Sequence, residues 1–100
     1  MGKSDCPESI NGMIVVCWTF IDERHRPTRG TQHTVGGEVM GPAAGLAICK
    51  DDGKDSCLLF YCDENWDSKT DTWHENLPYA KEQAEFEYEG SSKTWKHANQ

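Results

Sequence analysis

Two short runs of the sequence are apolar at odd and even positions alike, and this feature constrains the fold more than any other. Residues 13–21 read MIVVCWTFI, and residues 56–62 read SCLLFYC. The first run is rich in the β-branched and aromatic residues that favour strands. Successive side chains of a strand point to opposite faces of its sheet, so a strand that is apolar on both faces needs cover on both. The pattern predicts two interior strands, buried front and back.

Strict alternation along the first run predicts which side chains share a face. It groups Trp18 and Phe20 with Ile14 and Val16, and it places Met13, Val15, Cys17 and Ile21 on the other face.

An antiparallel hairpin is predicted between residues 46–50 and 56–62. The intervening DDGKD sequence contains Gly53, which can adopt the positive φ that tight turns require. If the turn holds an odd number of residues, Cys49 lies across the hairpin from Cys57. Cys57 and Cys62 are five positions apart on one strand, so they point to opposite faces.

The second half of the chain predicts an edge strand and then a helix. Residues 66–73 alternate polar and charged positions after an inward Trp66, which is typical of an edge strand. Asn76 can cap a helix that begins at Leu77–Pro78, and Gly90 can end it. At about 100° per residue, Leu77, Ala80, Ala84 and Tyr88 form the packing stripe, whereas Tyr79 and Phe86 lie on the far side. A strand over residues 84–89 is the alternative.

These elements predict an α+β fold: a meander of about four antiparallel strands, with one C-terminal helix packed on one face. One hundred residues provide material for one core, so we expect a single domain over residues 1–100. Residues 1–11 and 92–100 are expected to be flexible tails.

Charge divides the chain into two unlike halves and argues against a nucleic-acid partner, and the short apolar runs argue against a membrane partner. The formal net charge is -7; the first fifty residues carry five acids and five bases, and residues 51–100 carry twelve acids and five bases. A nucleic-acid-binding protein would present a positive surface to the phosphates, so we predict no nucleic-acid partner. No apolar run approaches the roughly 18 residues of a membrane-spanning helix, so we predict no membrane partner.

The cysteines and the amino-terminal sequence predict a cytoplasmic location. The five cysteines are an odd number and contain no C-x-x-C pair, which argues against a disulfide scaffold. Residues 1–9 lack the basic start and apolar stretch of a secretory signal.

The second face of the predicted sheet lacks an evident cover, because one helix covers only one face. Residues 22–45 or Trp95 would cover it internally; otherwise a second copy or another protein would. The predicted binding residues are Trp18, Phe20, Phe60 and Tyr61 if this face is the contact. If the helix is the contact, they are Phe86 with Glu82, Glu85 and Glu89.

The residue types that catalysis needs are present, but nothing in their order selects a set. His74, Asp71 and Cys62 form the best combination of a base, an orienting carboxylate and a nucleophile, but no motif selects them, and we assign no catalytic residue. A small hydrolase or ligand-binding enzyme with a site near His74 is therefore the alternative function.

A partial calcium-loop pattern occurs at residues 63–74. Asp63, Asn65, Asp67 and Asp71 occupy the first, third, fifth and ninth places of an EF-hand loop. Ser68 replaces the turn glycine, and His74 replaces the bidentate glutamate. The four histidines and five cysteines also lack the usual zinc spacing. We therefore predict no metal and no cofactor.

The basic sequence RHRPTRG at residues 24–30 has two interpretations. Arginine side chains can bind phosphates, so the segment could contact an anionic partner. The favoured interpretation is a solvated loop that pairs with the acidic helix of the same chain.

The runs FYCDENW, TDTWHENL and AKEQAEFEYEG, within residues 58–90, resemble a group of small uncharacterised bacterial proteins with a similar C-terminal tail. This resemblance implies a bacterial origin and a strand–turn–strand–helix arrangement, and it implies no activity. The sheet face without an evident cover and the acidic second half of the chain lead us to expect a small cytosolic protein-binding module. The module would act as a homodimer or as an acidic, immunity-like adaptor for a basic partner.

Overall fold

The computed structural model describes residues 6–22, 26–27, 34–35, 38–39, 43–50, 53 and 55–97. In chain order, the elements are β1 (Ser9–Ile10), β2 (Met13–Phe20), β3 (Arg26–Pro27), β4 (Thr34–Val35), β5 (Glu38–Val39), β6 (Gly45–Lys50), β7 (Cys57–Cys62), β8 (Ser68–His74), α1 (Leu77–Glu87), β9 (Tyr88–Glu89), a short 3-10 helix (Ser91–Lys93) and β10 (Lys96–His97).

The main sheet is antiparallel, with strand order β1-β2-β6-β7-β8, and β10 also pairs with β2. The four longer strands are neighbours in the order in which the chain visits them, as in a meander. The helix α1 packs on one face of this sheet. The predicted α+β class, with one helix following an antiparallel sheet, is therefore confirmed. Two further strand pairs, β3 with β9 and β4 with β5, lie outside the main sheet.

The predicted hairpin is the pairing of β6 with β7. Lys50 lies opposite Cys57, and Cys49 lies opposite Leu58. The six residues 51–56 therefore connect the two strands. Because this number is even, Cys49 does not lie opposite Cys57. Gly53 has a φ of 74°, the left-handed conformation that the turn sequence predicts.

A β-bulge in β2 corrects the predicted alternation. Val15 pairs with Cys49, whereas Cys17 pairs with Ile48, and the register shifts between Val15 and Cys17. The extra residue of a bulge changes which face the following side chains reach. Val15 therefore belongs to the core on the second face, and Cys17 belongs to the core under the helix. Ile14, predicted to lie with Trp18, is 64% exposed instead.

The helix begins where the sequence predicts and ends earlier. The Asn76 side chain accepts a hydrogen bond of 3.0 Å from the backbone N–H of Tyr79, and Pro78 lies in the first turn. The helix ends at Glu87, and the chain continues as the short strand β9. Gly90 then adopts a left-handed conformation with φ of 102°. The strand predicted as an alternative exists only for the last two of its six residues.

The core between sheet and helix contains the predicted helical stripe. Its buried members are Cys17, Ile21, Ala43, Leu46, Ile48, Cys57, Leu59, Tyr61, Ala80, Ala84 and Tyr88, with Leu77 and Trp95 packed against them.

The second face of the sheet carries a core of its own, and this finding corrects the predicted lack of cover. Its buried members are Ile10, Val15, Ala47, Cys49, Phe60, Cys62 and Trp66, with Cys6, Met13, Trp18, Phe20 and Leu58 around them. These residues are buried within the single chain, because side chains from the turn before β8 and from β1 fold over the face. Trp95, considered as a cover for this face, packs on the helix side instead.

Both ends of the described chain contribute to the sheet. Ile10 pairs with Met13, and Lys96 pairs with Trp18. The sheet thus includes short segments that were expected to be flexible tails, because the outer edge of β2 offers backbone groups that they can hydrogen-bond. Within the described residues, no helix has the length and apolar character required to cross a bilayer.

Candidate functional site

The proposed catalytic combination is not assembled. His74 lies opposite Cys57, in the helix-side core, whereas Asp71 lies opposite the second-face residue Phe60. His74 and Asp71 therefore point to opposite faces of β8. Cys62 lies at the far end of the hairpin, and burial raises the pKa of its thiol to about 12. A thiol with this pKa is protonated at neutral pH, so it is a poor nucleophile.

The calcium-loop pattern forms a structural turn. The Asp63 carboxylate accepts hydrogen bonds from the backbone N–H groups of Asn65, at 2.8 Å, and Asp67, at 3.0 Å. It also lies 3.4 Å from the Lys69 ammonium. The backbone hydrogen bond from Asp67 contributes most to lowering the pKa of Asp63. Asp71 is an exposed residue of β8 and takes no part in this turn.

The cysteines behave as small core residues. All five are free, and Cys57 and Cys62 lie in the cores on opposite faces, as their spacing predicts. Burial raises the pKa of Cys49 to about 12 and that of Cys17 to about 11. In the part of the chain that the structure describes, no three His, Cys, Asp or Glu side chains are placed to hold a metal ion.

Two of the predicted binding residues are inaccessible. Phe60 and Tyr61 are each 1% exposed, Phe60 in the second-face core and Tyr61 under the helix. Their adjacent positions on β7 send them to opposite faces, and both faces are filled. Neither side chain is available to a partner of the folded protomer.

Trp18 and Phe20 are half-buried in an aromatic cluster with Trp66. The ring centroids lie 5.3 Å apart for Trp18 and Phe20, 5.6 Å for Trp18 and Trp66, and 5.4 Å for Phe20 and Trp66. The Lys96 ammonium lies 5.1 Å from the Trp18 ring centroid. These rings therefore contact one another and Lys96, and their main role is to close the second face.

A buried polar network that the sequence did not reveal joins the helix to the sheet. The Tyr61 hydroxyl donates to the Glu87 carboxylate, and the Gln83 amide donates to the same oxygen at 2.9 Å. Glu87 is 4% exposed. The Thr72 hydroxyl hydrogen-bonds to Tyr61 and lies 2.8 Å from the Nε2 atom of His74. Burial and the contact with Glu87 raise the pKa of Tyr61, so the phenol stays protonated and donates.

A sequence signal for Glu87 exists. Glu87 follows Ala80 by seven residues, or two helical turns, so it lies on the same side of α1 as the packing stripe. Glutamate is ordinarily exposed, but the position of Glu87 on the packing side of α1 predicts burial. Burial is tolerated because two donors compensate the carboxylate.

Among the described residues, the outward surface of α1, defined here as Tyr79, Glu82 and Phe86, is the most distinctive exposed feature. Tyr79 is 50% exposed and Phe86 is 55% exposed. They are seven residues apart, so their backbone positions differ by about 10.5 Å along the helix axis. Glu82 lies between them and is also exposed. The far-side position predicted for the two rings is confirmed.

Glu85 has a structural role. Its carboxylate accepts hydrogen bonds of 2.9 Å from the backbone N–H groups of Gly90 and Ser92. Partial burial raises the pKa of Glu85, but the two backbone donors, the Ser92 side chain and the Lys93 charge together lower it overall. Of the acids named as contacts, Glu82 and Glu89 remain exposed.

The basic segment is described only in part. Arg26 pairs through its backbone with Glu89, and Pro27 pairs with Tyr88. This pairing places Arg26 and Pro27 beside β9, which directly follows α1. Pairing between the charged side chains of the segment and the acidic helix stays a prediction. Anion binding by the rest of residues 24–30 falls outside the described residues, as do His25 and His33.

Comparisons with known proteins give no assignment: no family model, no curated protein and no solved structure matches this sequence. The resemblance of residues 58–90 to small bacterial proteins stays a prediction.

Proposed function

We propose that this chain is a small protein-binding module that contacts its partner through the outward surface of α1. One observation carries the proposal: the rings of Tyr79 and Phe86 are about half exposed on one side of the same helix. Aromatic residues are enriched among those that dominate binding energy at protein interfaces. Two such rings on a rigid helix offer apolar anchors at a fixed spacing.

Other surfaces support this function less well. The second-face core is filled by its own side chains, which weakens the case for a dimer formed through that face. Ile14 and Trp73 are also exposed, but they lie on β2 and β8, which are separated by β6 and β7. They therefore do not combine into one patch.

The module would act in the cytoplasm. Five free cysteines, four of them buried, suit a reducing compartment. The partner is then another cytoplasmic protein or a second copy of the chain.

Photocrosslinking tests the proposal. A photoreactive phenylalanine analogue replaces Phe86 in one sample and Trp73, a similarly exposed aromatic residue on β8, in a matched control. In cells of the natural source, we expect a discrete adduct from position 86 that position 73 does not give. An adduct of twice the protomer mass would identify a second copy as the partner. Identical adduct patterns at both positions would refute the assignment of this surface.

A further inference from the structure

We infer that the partner of the outward surface of α1 is a basic amphipathic helix, and not a second copy of this chain. This inference rests on the proposed function and specifies the chemistry of the partner.

The charge around the surface is the first argument. Residues 75–89 contain five acids and one base, Lys81. Glu75, Glu82 and Glu89 are exposed at the start, middle and end of this stretch, and Arg26 pairs through its backbone with Glu89 at the end. Surfaces that bind are complementary in charge, and juxtaposed like charges oppose binding. A cationic partner is therefore favoured.

The same charge argues against the other occupants. A second copy would bring an equally acidic helix against the first, and both copies carry a net charge of -7. Nucleic-acid phosphates and anionic lipid headgroups would be repelled in the same way.

Internal hydrogen bonds argue against Glu85 and Glu87 as the charged contact, and position on the helix favours Glu82. The carboxylates of Glu85 and Glu87 already accept hydrogen bonds from within the chain, so recruiting either would break a structural contact. Glu82 lies between the two rings and projects to the same side. The surface thus presents an apolar anchor, a negative charge and a second apolar anchor.

A partner helix can present complementary side chains in the same order. Apolar side chains at i and i+7 of a partner helix are also separated by about 10.5 Å along its axis. An arginine at i+3 or i+4 would lie between them on the same face. Its guanidinium can bond the Glu82 carboxylate and stack on an adjacent ring of Tyr79 or Phe86.

Three synthetic peptides test this inference. The first is a helix with leucines at i and i+7 and arginines between them; the second is a scrambled version; the third replaces the arginines with glutamates. Each is titrated into the ¹⁵N-labelled full chain. We expect only the first to shift amide signals strongly, with the changes centred on Tyr79, Glu82 and Phe86.

Matched variants assign the contacts. Phe86→Ala should weaken binding of the first peptide by about tenfold or more, as for a residue that dominates an interface. Glu82→Gln should weaken binding and reduce its salt dependence. Trp73→Ala removes an exposed ring elsewhere, and Glu64→Gln removes an exposed acid elsewhere; both should bind like the wild type.

Four results would overturn the inference: equal binding of the glutamate peptide, equal binding of the scrambled peptide, equal weakening by the control variants, or a position-86 adduct of twice the protomer mass. If position 86 gives a specific crosslinked adduct but the arginine peptide does not bind selectively, only the chemistry of the partner is wrong. If neither is observed, the proposed function fails as well.

Discussion

Gly45→Ala tests how the second face is closed. A Cβ atom at position 45 would lie 2.7 Å from the Cη2 and Cζ3 atoms of Trp66. Carbon atoms in favourable contact are about 3.5–4.0 Å apart, so the ring must move. Its centroid lies 5.6 Å from that of Trp18 and 5.4 Å from that of Phe20, which restricts this movement.

The size of the effect follows from two opposing contributions. Overpacking a core costs about 1–3 kcal/mol. Replacing glycine by alanine within a strand stabilises the folded state by roughly 0.5–1 kcal/mol, because alanine loses less conformational entropy on folding. We therefore expect Gly45→Ala to lower the free energy of unfolding by about 1–2 kcal/mol, measured by urea denaturation.

The control is a double-mutant cycle with Trp66→Leu, which removes the ring. In that background, Gly45→Ala should be neutral or slightly stabilising, because the clash is absent. The two substitutions should therefore be coupled by about 1–3 kcal/mol. If Gly45→Ala costs the same free energy with and without the indole, Trp66 does not lie over Gly45, and our account of this face is wrong.

Three further predictions concern the polar groups. Tyr61→Phe should lower the free energy of unfolding by about 1.5–3 kcal/mol, because it removes a hydrogen bond to a buried carboxylate; Tyr79→Phe, at an exposed tyrosine, should change it by less than about 0.5 kcal/mol. Burial lowers the pKa of His74 below its ordinary 6.5, so the unfolded chain binds a proton at this residue at higher pH than the folded chain does. The free energy of unfolding should therefore fall as the pH drops through about 6.5. Urea midpoints between about pH 8 and 5 measure this dependence, and His74→Gln should reduce it. Asp63→Ala should lower the urea midpoint because two backbone donors lose their acceptor, whereas Asp71→Ala should leave it nearly unchanged, and a greater loss from Asp71→Ala would contradict the assigned turn.

Local patterns predicted the elements that depend on neighbours in sequence. The β6–β7 hairpin follows from two strand-forming runs around a glycine turn, and the helix follows from Asn76, Pro78 and an apolar stripe. The exposed positions of Tyr79 and Phe86 were predictable for the same reason, since helical geometry fixes the direction of each side chain. The candidate binding surface was therefore visible in the sequence.

The predictions that were wrong or missing concern features that depend on residues far apart in the sequence. A bulge between Val15 and Cys17 shifts the pairing of β2 with β6, and alternation cannot locate an extra residue. The burial of Glu87 depends on the hydroxyl of Tyr61, which is 26 residues away in the chain. A residue type that is ordinarily exposed is thus retained inside by a donor that only folding supplies.

The sequence by itself determined that this protein has an antiparallel sheet, that two of its strands are apolar on both faces, and that one capped helix follows them. These properties arise from backbone geometry and periodicity, which act over a few residues. Only the tertiary structure decided what covers the second face. Trp66, in a turn preceding β8, lies across Gly45 because that position has no side chain to exclude the indole. Of the two candidate binding surfaces that the sequence offered, the filled second face argues against the sheet and favours the helix.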